Sequence, residues 1–166
     1  MYPNHIITMK INDLKLDHYS DFLGEPEIRF YTNPKNISFR RNIQKNPDGT
    51  STEYLLKQGE NGIYFFSLWE VYFYSLISEL NVIPISSDLP DFITNWIKSI
   101  GWSWENVPDI ISENEIDWLI EKTVLVNEKV FENSTDLVWD FKCITDLIIF
   151  LKLVKENDME LRISLE

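Results

Sequence analysis

The 166-residue sequence contains no alanine, a single cysteine (Cys143) and only five glycines. Without alanine the core has few small gap-fillers, so Ile, Leu, Phe, Tyr and Trp must fill it. One cysteine cannot close an intramolecular disulfide, and nothing points to an oxidising compartment. No GxGxxG, P-loop, CxxC or HExxH run occurs, so no recognised phosphate- or metal-binding motif is present and no cofactor is expected. Long hydrophobic runs are also missing. The most apolar stretch, Cys143 to Val154, is broken by Asp146 and Lys152 and is too short to cross a bilayer. The first residues lack the basic-then-apolar order of a signal peptide, so the expectation is a cytoplasmic protein without membrane contact. On that expectation the sequons at Asn36 and Asn133 are chance matches.

Basic residues are the next scarcity. Fifteen Lys and Arg face 27 Asp and Glu, for a net charge of −12. Residues 1–60 are neutral, with eight of each sign, whereas residues 61–121 hold ten acids and the single base Lys98. Such a field repels nucleic acid and anionic membrane and draws basic partners toward it. Arg40 and Arg41 alone, on a neutral third of the chain, do not make a nucleic-acid patch.

The composition is that of a folded chain, 44% hydrophobic and 14% aromatic, and its length suits one globular domain over 1–166. His5 to Ile11 is expected to form a strand, and Asn12 or Asp13 to cap a short helix that Gly24 stops. Glu27 to Thr32 and Ile37 to Lys45 alternate as strands, Asn46-Pro47-Asp48-Gly49 is a turn, and Thr50 to Lys57 returns. Ser67-Leu-Trp-Glu70 reads as a capping box opening a helix to about Asn81, although Tyr64 to Tyr74 also has strand propensity. Leu89 to Ile100 is amphipathic, with Gly101 as its stop. Ser112-Glu-Asn-Glu115 opens a third helix that buries Ile116, Leu119 and Ile120. Thr123 to Phe131 reads as a strand, a final helix as running from near Ser134 or Thr135 to Glu156, and Glu160 to Leu165 as an edge strand. The fold class is α+β: a small antiparallel β-meander in the N-terminal third, then about four α-helices packed on one face of the sheet.

Few residues carry chemistry. His18 lies among Asp13, Asp17 and Asp21, ligand types that suit a divalent metal. With no second motif to complete the set, a solvated acidic helix face is the expectation. Cys143, inside an apolar helix, reads as core. Asp140 falls near the apolar arc of the last helix, where a carboxylate pairs with a neighbour such as Lys142 or titrates upward as general bases do. The pairing is the reading taken, and an enzyme using a buried Asp140 is an alternative.

The segment from Trp102 to Glu121 remains. It joins Trp102, Trp104, Glu105, Asp109, Glu113, Asp117 and Glu121 with no base between them. Glu113, Asp117 and Glu121 form a stripe at helical spacing, where like charges cost about 0.2–0.5 kcal/mol per pair. Aromatics among carboxylates suit an interface for a basic protein, and these seven residues are the candidate partner-binding set. In class, though in no alignable motif, such a small acidic α+β chain resembles the immunity proteins of bacterial toxin–immunity pairs. That resemblance implies a non-enzymatic inhibitor occluding the active site or groove of a basic, nuclease-type toxin. The other alternative is a general interaction or scaffold domain, or a homo-oligomer.

Overall fold

The computed structural model describes residues 10–54, 56–80, 89–100, 107–134 and 140–166. Phe30 lies at the middle of its main sheet, in register with Phe66 on one side and Ile163 on the other. Five strands line up in the order β1 (Asp17–His18), β5 (Tyr64–Trp69), β2 (Glu27–Pro34), β7 (Met159–Leu165) and β6 (Ile110–Ile111). β1 pairs with β5 in parallel, and every other pairing in this sheet is antiparallel. Two further strands, β3 (Ile43–Lys45) and β4 (Ser51–Glu53), form a separate hairpin.

Side chains alternate across β2, so its two faces meet different layers. Ile28 and Phe30 join Phe66, Leu68, Leu161 and Ile163 in the main core. That core is covered by α1 (Glu70–Leu80) and α5 (Lys142–Glu156), which bring Phe73, Leu76, Leu147, Phe150 and Val154. Outside them, α3 (Glu113–Val124) packs on α5 and α4 (Glu128–Ser134) on α1, while α2 (Asp91–Ile97) buries Phe92 and Ile93. The opposite face carries Tyr31, packed with Phe39, Leu56 and Ile63 beneath the hairpin. Among the described residues no helix is long and apolar enough to cross a membrane.

The architecture is therefore α+β, with several local corrections. The residues at Ser67 to Trp69 are strand, not the first turn of a helix. The Ser67 N–H donates to Leu16 O at 2.8 Å, and β1 and β2 pair with β5 on both sides. With its backbone held in the sheet, the apparent capping box has no orphan donors to satisfy. Thr123 lies inside α3, its hydroxyl donating to Leu119 O at 2.6 Å. After it Asn127 opens α4, its Oδ1 accepting the Lys129 N–H at 3.0 Å, so the strand expected over Thr123 to Phe131 is absent.

β7 is interior rather than an edge, since β2 and β6 flank it. Pairing within Ile37 to Lys45 is confined to the last three residues. The helix expected after Asn12 is instead two 3-10 turns, Ile11–Asp13 and Ser20–Phe22, separated by β1. The last helix starts at Lys142, eight residues after α4 ends at Ser134. Of the expected first strand, 5–9 lies outside the described residues, as does Gly101. Ser99 takes the left-handed C-terminal position of α2 instead, at φ 55°.

Candidate functional site

Two places bear on the residues singled out in the sequence, and the first is a cleft built around His18. The backbone at 16–18 is pinned to β5, which drives the imidazole inward until only 1% of its side chain is exposed. Its ring lies against Phe66, with centroids 5.3 Å apart. From α5, Asp146 meets it: Nε2 stands 3.0 Å from Asp146 Oδ2, on a carboxylate that is itself 3% exposed. One turn earlier on the helix, Lys142 reaches back, its Nζ donating to Asp146 Oδ1 and Oδ2 at 2.7 and 2.6 Å.

The rim follows from short-range hydrogen bonding. Asp17 Oδ1 accepts the N–H groups of Tyr19 and Ser20, both at 2.9 Å, which folds the following 3-10 turn and sets Asp21 and Phe22 beside the opening. Phe22 then stacks on Trp69, with centroids 4.1 Å apart and planes 5° from parallel, and meets Tyr72 edge-on at 5.6 Å. Across the opening, Asp140 precedes α5, with Oδ1 accepting the Lys142 N–H at 3.0 Å. The result is a cleft of about 380 Å³ lined by Lys15, Asp17, His18, Ser20, Asp21, Phe22, Tyr72 and Asp140.

Burial pushes the His18 pKa down, and the Lys15 ammonium adds to that, while Asp146 and Asp140 pull the other way; the net shift is downward. The imidazole is thus neutral at pH 7. Burial also raises the Tyr72 phenol to about 12 and pushes the Cys143 thiol up, which fits the expectation that this cysteine is core and not a nucleophile.

Sequence reasoning found His18 and Asp140, misjudged the setting of the first, and took the second as an edge carboxylate beside Lys142, where it lies. Asp13, Asp17 and Asp21 share no helix face: Asp13 Oδ2 accepts the Lys10 N–H, Asp17 caps a turn, and only Asp17 and Asp21 line the cleft. Among the described residues no group of three His, Cys, Asp or Glu side chains could hold a metal ion. The carboxylate buried in the last helix is Asp146, whereas Asp140 is 47% exposed. The signal for Asp146 was its place inside the most apolar run of the chain, four residues after Lys142.

The second place is the acidic segment. Trp102, Trp104 and Glu105 lie outside the described residues. Asp109 is exposed on the approach to β6, between Val107 and Ile110, whose apolar side chains are 58% and 52% exposed. Ser112 caps α3 as its spacing predicts: its hydroxyl accepts the Glu115 N–H at 3.3 Å, and the Glu115 carboxylate accepts the Ser112 N–H at 2.8 Å. The acidic stripe is partly neutralised within the fold. Glu113 pairs with Lys35 at 3.3 Å, and Asp117 with Lys155 of α5. Glu121 is exposed, with no ion-pair partner among the described residues.

No protein-family model, curated protein or solved structure matches this chain.

Proposed function

We propose that this chain is a non-enzymatic, cytoplasmic, acidic protein-binding domain that pairs with a basic protein. It acts in the manner of an immunity protein, occluding the active site or substrate groove of a cognate nuclease-type toxin. The supporting observation is the exposed mixture at 107–121. Val107 and Ile110 stand out to solvent around Asp109, and Glu121 adds a carboxylate that no base in the described fold offsets. Apolar area of that kind supplies short-range affinity, while the field of the −9 block between residues 61 and 121 steers the encounter. Asp117 and Glu113 contribute less than their number suggests, because each already has a lysine.

The test is the association rate with the product of the neighbouring gene, measured by stopped flow over a range of salt. The rate should fall steeply as salt rises, and Asp109→Lys with Glu121→Lys should lower it severalfold. A rate indifferent to both defeats the electrostatic reading.

The cleft favours a second reading. His18, oriented by Asp146 and open at Nδ1, has the arrangement of a general base, and Asp140 stands on the same cleft. Hydrolysis of any member of a panel of chromogenic esters, lost in His18→Gln, would support an enzyme.

A further inference from the structure

Two hydrogen-bond acceptors confront each other at the mouth of the His18 cleft. Nε2 of the imidazole lies 3.0 Å from Asp146 Oδ2 and must carry the ring proton there, since a lone pair would face a carboxylate oxygen. Nδ1 therefore presents its lone pair, and what it faces is Asp140 Oδ2, 3.8 Å away. That separation is too long for a hydrogen bond, and neither atom has a proton to give the other. Nδ1 opens on the cleft, where among the described residues no protein donor meets it.

The surroundings narrow what could fill the gap. Among the described residues three carboxylates, Asp17, Asp21 and Asp140, line the cleft against the one ammonium of Lys15, so this lining carries a net negative charge. Asp146 adds none, because Lys142 neutralises it. Phe22 and Tyr72 supply aromatic walls at right angles, 82° between their planes. The matching group has only donors, carries positive charge and is flat enough to lie along a ring. A guanidinium has all three properties; an ammonium lacks the plane and holds its water more tightly.

We propose that the cleft is a binding site for the guanidinium of an arginine side chain, with His18 Nδ1 and Asp140 Oδ2 as acceptors, Asp21 adding charge, and Phe22 and Tyr72 as walls. The reading of the chain as a binder of basic protein enters only as the source of that arginine. A neutral imidazole accepts such a donor, whereas a protonated one repels it, so occupancy falls as acid titrates His18.

The experiment is a titration of the intact protein with N-acetyl-arginine amide, followed by NMR at the His18 and Tyr72 rings. Saturable shifts at both rings are expected. Binding should weaken by about tenfold or more for N-acetyl-citrulline amide, which keeps the shape and loses the charge. N-acetyl-lysine amide should also bind more weakly. Asp140→Asn should lose about the same factor, and Asp21→Asn, on an exposed residue that no packing depends on, should weaken binding severalfold. Absence of a saturable shift or equal binding of the citrulline compound overturns the proposal. So does a protein partner that binds the Asp21→Asn and Asp140→Asn variants as tightly as the parent, an outcome that leaves the protein-binding reading intact. Conversely, arginine-amide binding with no protein partner sinks that reading and not the cleft.

Discussion

At the scale of single residues, Asp146 shows how burial overrides spacing. Both Asp140 and Asp146 fall along an apolar helix pattern, and periodicity cannot tell which of them faces inward once the helix start shifts to Lys142. The structure resolves it: Asp146 sits one turn inside the helix, under His18, and Asp140 precedes the helix at the rim. Asp146 should therefore be the costly one to remove. Replacing it with alanine strands the buried neutral imidazole donor and unpairs the largely exposed Lys142, so urea unfolding should show a loss of about 1–3 kcal/mol. The same change at Asp140 should cost no more than about 1 kcal/mol, the scale of a lost turn or cap hydrogen bond.

His18 gives that cluster a pH signature. Its folded pKa is lowered, so above the ordinary histidine value of about 6.5 both folded and unfolded states hold it neutral and stability is full. As pH falls below that value, the unfolded chain takes up a proton that the folded chain resists, and stability drops. The groups facing the ring are Lys15 from the preceding loop, Asp146 from α5 and Asp140 at its start. Chemical denaturation at a series of pH values from 8 to 5 should show this loss (about 6.5 as its upper limit), and His18→Gln should flatten it.

At the scale of elements, the pattern Ser-x-x-Glu occurs at Ser67 and at Ser112 and caps a helix only at the second. Ser112 follows a two-residue edge strand, so the next backbone donors have no partner until the serine and Glu115 supply one. Ser67 is flanked by strands on both sides and has no such need. Local sequence carries the motif; the neighbours that decide its use come from 17–18 and 27–34, and no window around Ser67 contains them.

The C-terminus of α2 teaches the same lesson through the backbone. Gly101 is the obvious stop in sequence, yet Ser99 occupies the left-handed position at φ 55°, with Ile100 N–H closing the motif on Asn95 O at 2.8 Å. A left-handed serine costs about 1–2 kcal/mol in the folded state, of which glycine's extra freedom when unfolded takes back a part. Ser99→Gly should raise stability by about 0.5–1 kcal/mol in thermal or urea unfolding. A destabilised variant would show that the hydroxyl, not the backbone, matters there.

Across the whole molecule, the sheet is closed by residues far apart in the chain. β2 and β7 pair over seven positions, from Ile28 with Leu165 to Pro34 with Met159. A reading that runs from one end of the chain to the other sees an early meander and a late edge strand, and has no means of joining them. The α+β class was legible from the order of periodicities, whereas the interior place of β7 depends on a pairing across some 130 residues, which local pattern does not encode. The acidic segment was legible as composition, and its lysine partners Lys35 and Lys155, brought in from other elements, were not.

The face of the sheet opposite the helices raises the sharpest energetic question, because it is charged and yet buried. Arg29 and Glu27 form a two-pronged pair at 2.9 and 2.8 Å with side chains 9% and 8% exposed. Arg41, at 2% exposure, ties Glu53 of the hairpin to Glu166 beyond β7 at 3.1 and 2.5 Å. Tyr31 stands between the two arginines, its hydroxyl donating to Glu166 at 3.1 Å and accepting from Arg29 at 2.9 Å. Burial opposes the Arg29 charge, but the hydrogen bonds it donates to the Glu27 carboxylate, together with the charges of Glu27 and Glu166 and the Tyr31 oxygen, outweigh that cost, so the pKa of the guanidinium is raised. Such a layer need not stabilise the fold against an apolar one, since the desolvation of both charges offsets much of their attraction. Within this layer it is Arg41 that reaches the hairpin, tying its Glu53 to Glu166 at the end of the sheet. Two variants separate these effects. Arg29→Met alone leaves the Glu27 carboxylate buried without its guanidinium and should cost about 3–5 kcal/mol in urea unfolding. Arg29→Met with Glu27→Leu removes both charges and should recover most of that loss. If the double variant stays as unstable as the single one, the pair stabilises the fold in its own right.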